Sequence, residues 1–175
     1  MNAHPETRGQ AWRFALVVVS DKAASGARAD ACMPQLRAAL PQRSSISVER
    51  IVADDRVAIA SLLAELADGG SVDCILTAGG TGLGPRDVTP QATLSVADYE
   101  VPGLAEAMRA STGQLVPTAM LSRAVAAVRA RTLIVNLPGS PNAIRETLNV
   151  IVDVIPHGLG LLRGDVGEHA APAVT

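Results

Sequence analysis

At 175 residues, 48% of them apolar, the chain has the length of one domain and ample material for a sizeable core. Its 15 Lys and Arg against 17 Asp and Glu leave a net charge of -2, the basic residues are scattered, and aromatic content is 2% (Trp12, Phe14 and Tyr99). Neither a basic stripe nor a row of stacking rings serves nucleic acid, and no apolar run is long enough to cross a bilayer.

Taken in chain order, residues 1–12 lack periodic apolar positions and read as a flexible tail, as do residues 166–175. Residues 13–165 form one domain without internal repeats or a low-complexity linker. "FALVVVS" at 14–20 is a continuous apolar run of strand length, as expected of a strand covered on both faces. Cys32 lies in an apolar helical pattern and Cys74 at a strand start; with no CxxC, both read as buried reduced thiols, and the chain as cytoplasmic. "ISVERIV" at 46–52 alternates, which predicts a strand nearer a sheet edge.

"DRVAIASLLAELAD" at 55–68 places Val57, Ala60, Leu63, Ala64 and Ala67 near helical spacing, with Gly69 and Gly70 as the stop. "DCILTA" at 73–78 is a second buried strand. A helix opens at "TPQATLSVA", with Thr89 as N-cap and Pro90 at the first helical position. After the helical "PGLAEAMRAS", the stretch 124–139 reads as two short strands turning at Ala130 and Arg131. The segment 140–164 is helical with an interruption around Pro156. "RGD" at 163–165 reads as a helix end. The alternation predicts an α/β fold, a three-layer α/β/α sandwich with a mostly parallel central sheet. Ligands then sit beyond the C-terminal strand ends.

Three loops reach that edge. "GGTG" at 79–82 can bring successive amides close to an anion, Thr81 adding a hydroxyl. It is neither a P-loop nor GxGxxG, and glycines of this kind also serve plain crossover turns. Asp87 at the loop's far end would repel a phosphate unless a cation lies between them, which points to Mg²⁺ and phosphoryl or nucleotidyl chemistry. Of Asp54 and Asp55, one caps the next helix, more naturally Asp55, which leaves Asp54 as the functional candidate. "NLPGSPNA" at 136–143 brings Asn136, Pro138, Gly139 and Ser140 to the same edge. His4, His157 and His169 share no metal-ligand spacing, and no GxSxG motif supports a hydrolase.

With "VSDKAASG" at 19–26, "TAGGTGLGPRDVTPQAT" at 77–93, "PTAMLSRA" at 117–124 and "NLPGSPNA", the chain resembles the molybdopterin adenylyltransferases of molybdenum-cofactor biosynthesis, of Mog and MoaB type, over nearly its whole length. The resemblance implies adenylyl transfer from Mg²⁺ and ATP to the terminal phosphate of molybdopterin, a homotrimer, and hand-over to the molybdenum-inserting enzyme. It assigns catalytic and metal-holding roles to Asp54 and Asp87. It places Gly79, Gly80, Thr81, Gly82, Ser122, Asn136, Pro138 and Gly139 around the pterin and its phosphate. Ala53 stands where relatives carry the proline of a Pro-Asp turn. The alternative from another class is a non-catalytic molybdopterin-binding or carrier protein of the same fold.

Overall fold

The computed structural model describes residues 11–164. Among these, one sheet holds six strands: β1 (Trp12–Val19), β2 (Ser44–Val52), β3 (Cys74–Ala78), β4 (Tyr99–Glu100), β5 (Ala126–Arg129) and β6 (Thr132–Leu137). Their spatial order is β2-β1-β3-β6-β5-β4. β2, β1, β3 and β6 run parallel, and β5 is antiparallel to both β6 and β4. The alternating "ISVERIV" lies in the edge strand β2, as expected, and the tight reversal at Ala130, with φ 52°, joins β5 to β6.

The helices are α1 (Asp21–Ala24), α2 (Cys32–Ala38), α3 (Arg56–Asp68), α4 (Thr89–Val96), α5 (Pro102–Leu115), α6 (Pro141–Ile151) and α7 (Ile155–Arg163), with a 3-10 turn over Pro117–Leu121. Side chains alternate across β1 with the strand period of two. Phe14, Leu16 and Val18 join a core with α2, α5, α6 and α7, whereas Ala15, Val17 and Val19 join one with α3 and α4. Two apolar layers thus sandwich the sheet, which is the three-layer α/β/α architecture the alternation predicts. Each wholly buried Leu or Ile contributes roughly 1.5–3 kcal/mol of burial.

Details differ from the sequence reading where tertiary contacts decide. Trp12 belongs to β1 rather than to a tail: its N–H donates to Arg43 O at 2.8 Å, and Arg163 stacks 4.3 Å from its ring centroid. The inward face of α3 is Ile59, Leu63, Leu66 and Ala67; Val57 is exposed. Val88, not Thr89, is the N-cap of α4, because the buried Thr89 hydroxyl donates to Gly79 O at 2.8 Å. The helix break falls at 152–154, and Pro156 sits in the first turn of α7, where a missing N–H costs nothing. Cys32 and Cys74 are free and buried, and burial pushes both thiols up. Gly164, with φ 82°, ends α7. His4, His169, Asp165 and nearly all of both expected tails lie outside the described residues.

At the N-terminal edge of the sheet, Asp73 is 4% exposed and ties three segments together. Its carboxylate accepts from Arg13 N, Nε and Nη2 at 2.8, 3.1 and 2.8 Å, and from the Arg163 guanidinium. Burial alone would push this carboxyl up; the hydrogen bonds from the two arginines more than reverse that and hold it well below the usual carboxylate range.

Candidate active site

Because β1, β2, β3 and β6 are parallel, their C-terminal ends deliver Ser20, Asp54, Gly79 and Pro138 to one edge of the sheet. The main chains there are in contact. A Cβ on Gly79, with φ 114°, would stand 2.2 Å from Val19 O, and one on Gly80, with φ 65°, would stand 2.3 Å from Thr89 Oγ1. No other residue fits either position. From the opposite side Gly139 closes on Gly79, its virtual Cβ 3.1 Å from the Gly79 Cα.

Two cavities flank this contact. A polar one of about 210 Å³ is lined by Ser20, Arg28, Asp30, Cys32, Asp54, Gly79, Gly80, Asp87 and Gly139 among others. A mostly apolar one of about 280 Å³, near the lower end of ligand pockets, is lined among others by Thr81, Gly82, Met108, Ser122 and Pro138. The lining passes from one to the other in a single peptide step, twice, at Gly80–Thr81 and at Pro138–Gly139.

Three carboxylates, Asp30, Asp54 and Asp87, line the polar cavity, and Asp55 follows one of them in the chain; they are used differently. Asp30 accepts from Cys32 N and Met33 N, both at 2.9 Å, and Asp55 caps α3 through Ala58 N at 2.8 Å. Asp54 Oδ2 accepts from Asp21 N at 2.8 Å, and Asp87 Oδ2 accepts from Gly84 N at 2.8 Å. The Oδ1 of Asp54 and of Asp87 takes no hydrogen bond among the described residues. Ala53 closes the corner ahead of α3 by accepting from Asp55 N at 2.7 Å. The amides of Gly80, Thr81 and Gly82 likewise donate to no acceptor among the described residues, while that of Gly79 is engaged by Leu137 O at 3.1 Å. Three open amides beside two half-open carboxylates suit a phosphate chain with its cation.

Sequence reasoning passed over three residues here, two of which hold this arrangement. Asp21 accepts from Asp54 N at 2.9 Å in return for its own N–H, and pairs with Arg86 at 2.9 Å. Hydrogen bonds from Arg86 and from the Asp54 backbone lower the Asp21 carboxyl. Arg123 donates to Gly82 O at 2.6 Å and to Asp87 O, and its N–H to Thr81 O at 2.9 Å, gripping both arms of the glycine loop. Arg28 lines the polar cavity with a guanidinium that meets no acceptor among the described residues. Asp21 and Arg123 sit inside the quoted motifs "VSDKAASG" and "PTAMLSRA", so the signal was present.

Asn136 behaves otherwise than the loop expectation. It is wholly buried, donates to Thr77 Oγ1 and Thr93 Oγ1 at 3.0 and 2.9 Å, and lines neither cavity. Strand parity in β6 turns it toward α4, with Ile134. The other expected site residues, Asp54, Asp87, Gly79, Gly80, Thr81, Gly82, Ser122, Pro138 and Gly139, line one cavity or the other.

Residues 15–157 match the MoCF_biosynth family model, described as "Probable molybdopterin binding domain". The chain belongs to this family. The molybdopterin adenylyltransferase of Escherichia coli (strain K12) is 44% identical over 154 residues, covering 84% of this chain and 79% of that protein. That of Haemophilus influenzae is 43% identical over 167 residues, covering 87% and 85%. Among solved structures, the molybdopterin biosynthesis enzyme MoaB from Thermus thermophilus superposes with a TM-score of 0.83 at 45% identity, covering 87% of this chain and 97% of that one. The tungsten cofactor synthesizing protein MoaB from Pyrococcus furiosus gives 0.80 at 31%, covering 89% and 99%.

Proposed function

We propose that this chain is a molybdopterin adenylyltransferase acting in molybdenum-cofactor biosynthesis. A terminal phosphate oxygen of molybdopterin forms a bond to the α-phosphorus of ATP; the bond from that phosphorus to the bridging oxygen breaks, and pyrophosphate leaves with the electron pair. The observation that carries this reading is the pair of cavities separated by one glycine loop, with Asp54 and Asp87 on the polar side.

The apolar cavity suits the pterin, with Ser122 and Pro138 on its wall, and the polar cavity suits the ATP phosphates, met by Arg28 and the open amide of Gly80, while the open amides of Thr81 and Gly82 lie on the apolar side. Asp54 and Asp87 would hold Mg²⁺ by their open oxygens. With two carboxylate ligands the ion would keep several waters and take its remaining ligands from phosphates, as Mg²⁺ commonly does. When bound, Mg²⁺ supplies neutralisation of charge at the transferring phosphoryl group. Adenylyl transfer builds negative charge in its transition state, so fixed amides and cations aimed at that place are the physical requirement.

A homotrimer is part of the same proposal. Leu115, Val116, Met120 and Leu121 form an exposed apolar stretch, Leu115 73% and Met120 67% exposed, of the kind that assembly covers. Light scattering at micromolar concentration is expected to report three chains; a monomer alone would refute it. Cytoplasmic work is supported by two buried free thiols, and hand-over to a molybdenum-inserting enzyme follows from the product being an activated intermediate. No helix of the described residues is long and apolar enough to cross a membrane. Pyrophosphate release with molybdopterin, Mg²⁺ and ATP tests the central claim. Tight molybdopterin binding without pyrophosphate release would instead make the chain a carrier.

A further inference from the structure

The apolar cavity contains a carboxylate that nothing in the fold explains. Ala143, Glu146 and Thr147 lie at i, i+3 and i+4 on α6 and line the cavity together, while Ile144, Leu148 and Ile151 enter the core beside them. The Thr147 hydroxyl is engaged by Ala143 O at 2.6 Å, but the partly buried Glu146 makes no hydrogen bond or ion pair among the described residues. A carboxylate is a costly choice against an apolar wall unless something pairs with it. Among the described residues the cavity's one cation is Arg109, whose Nη1 donates to Ala124 O at 2.8 Å and to Ser122 O at 3.4 Å. Its Nε and Nη2 remain open among the described residues, and it forms no ion pair with Glu146.

One acceptor pair and one donor pair therefore border the same apolar space without cancelling each other. The complement is a flat heterocycle carrying two adjacent N–H donors and a neighbouring carbonyl. A 2-amino-4-oxo pyrimidine ring has that edge: the 2-amino group and N3–H can meet a carboxylate side by side, and the 4-oxo group can accept from a guanidinium.

Resting on the reading that this cavity takes a pterin, we propose that Glu146 is the specificity-determining residue for the substrate's ring, pairing with its 2-amino and N3–H groups while Arg109 meets the 4-oxo oxygen. A site built around such donors rejects an analogue that lacks one of them, because its own charge is then left unpaired.

The test uses the full chain and two probes, 6-hydroxymethylpterin and 6-hydroxymethyllumazine, which differ only in an amino or an oxo group at position 2. Binding is read by ligand fluorescence, with no need for turnover. Wild type is expected to prefer the pterin by roughly 10- to 100-fold, the span of a charge-assisted hydrogen bond. Glu146→Gln should lose most of that preference, with an unchanged melting temperature and an unchanged affinity for ATP. Equal binding of the two probes by wild type, no pterin binding up to its solubility limit, or full discrimination retained by Glu146→Gln would each overturn the assignment. Wild type that discriminates but releases no pyrophosphate with molybdopterin and ATP supports this inference and overturns adenylyl transfer instead.

Discussion

The two ends of the sheet use aspartate in opposite ways. At the N-terminal edge Asp73 is buried and saturated, its oxygens taken up by two guanidinium groups and a backbone amide. At the C-terminal edge Asp54 and Asp87 are fixed by one amide each and keep their second oxygen open toward a cavity. A saturated carboxylate can only hold the fold together, while a half-saturated one is already oriented and still has a charge to offer. Residue type does not separate these roles; the count of satisfied lone pairs does.

The contrast is broken most directly at Asp87. Replacing Asp87 with Asn keeps an oxygen for the Gly84 N–H but removes the charge. Pyrophosphate release should fall by at least ~10²-fold, the usual cost of losing an electrostatic stabiliser of the transition state. The melting temperature should stay put. Turnover within a few-fold of wild type would show that Asp87 is not the metal-holding residue.

At the other edge the pattern reverses. Asp73→Asn leaves two partly buried arginines without their counter-charge and should cost about 3 kcal/mol of stability, with activity per folded molecule preserved. The same site carries a pH signature. The folded carboxyl titrates below its unfolded value of about 3.9, so its contribution is present above that pH and drains away as pH falls toward the folded value. Denaturant melts from pH 6 down to pH 2.5 should show this acid loss in wild type and much less of it in the variant. Identical acid slopes would contradict this role of Asp73.

The smallest effect is expected at Arg86. Its pair with Asp21 is exposed, the two side chains keeping 61% and 45% of their surface in water. Asp21 also retains its reciprocal bonds to Asp54 without it. Arg86→Ala should slow turnover less than ten-fold, as a solvated pair implies. A collapse as large as that of Asp87→Asn would move Arg86 from support into the reaction itself.

Much of this was legible in the sequence, because buried parallel strands and amphipathic helices have distinct apolar periods. "FALVVVS", "DCILTA" and the hairpin at Ala130 and Arg131 fall where expected, and so do the three loops at one edge. What escaped depends on which partner a polar group finds. Thr89 is a good N-cap by type, yet its hydroxyl is drawn to Gly79 O across the loop. Asn136 sits in a loop-like motif, yet strand parity turns it inward to Thr77 and Thr93. Asp21 and Arg123 hold Asp54 and the glycine loop through contacts 33 and 36–42 residues away in sequence, a range no local pattern reports.

The single peptide step at Gly80–Thr81 and again at Pro138–Gly139 bears on inhibition. Neighbouring residues of one chain line the two cavities, so a compound with a polar head for one chamber and a flat ring for the other needs only a short, stiff tether. Binding the second half of such a molecule would be an intramolecular event at high effective concentration. It would also exploit a boundary with little freedom to mutate, since at Gly79 and Gly80 any larger residue would collide with neighbouring atoms before it reached the inhibitor.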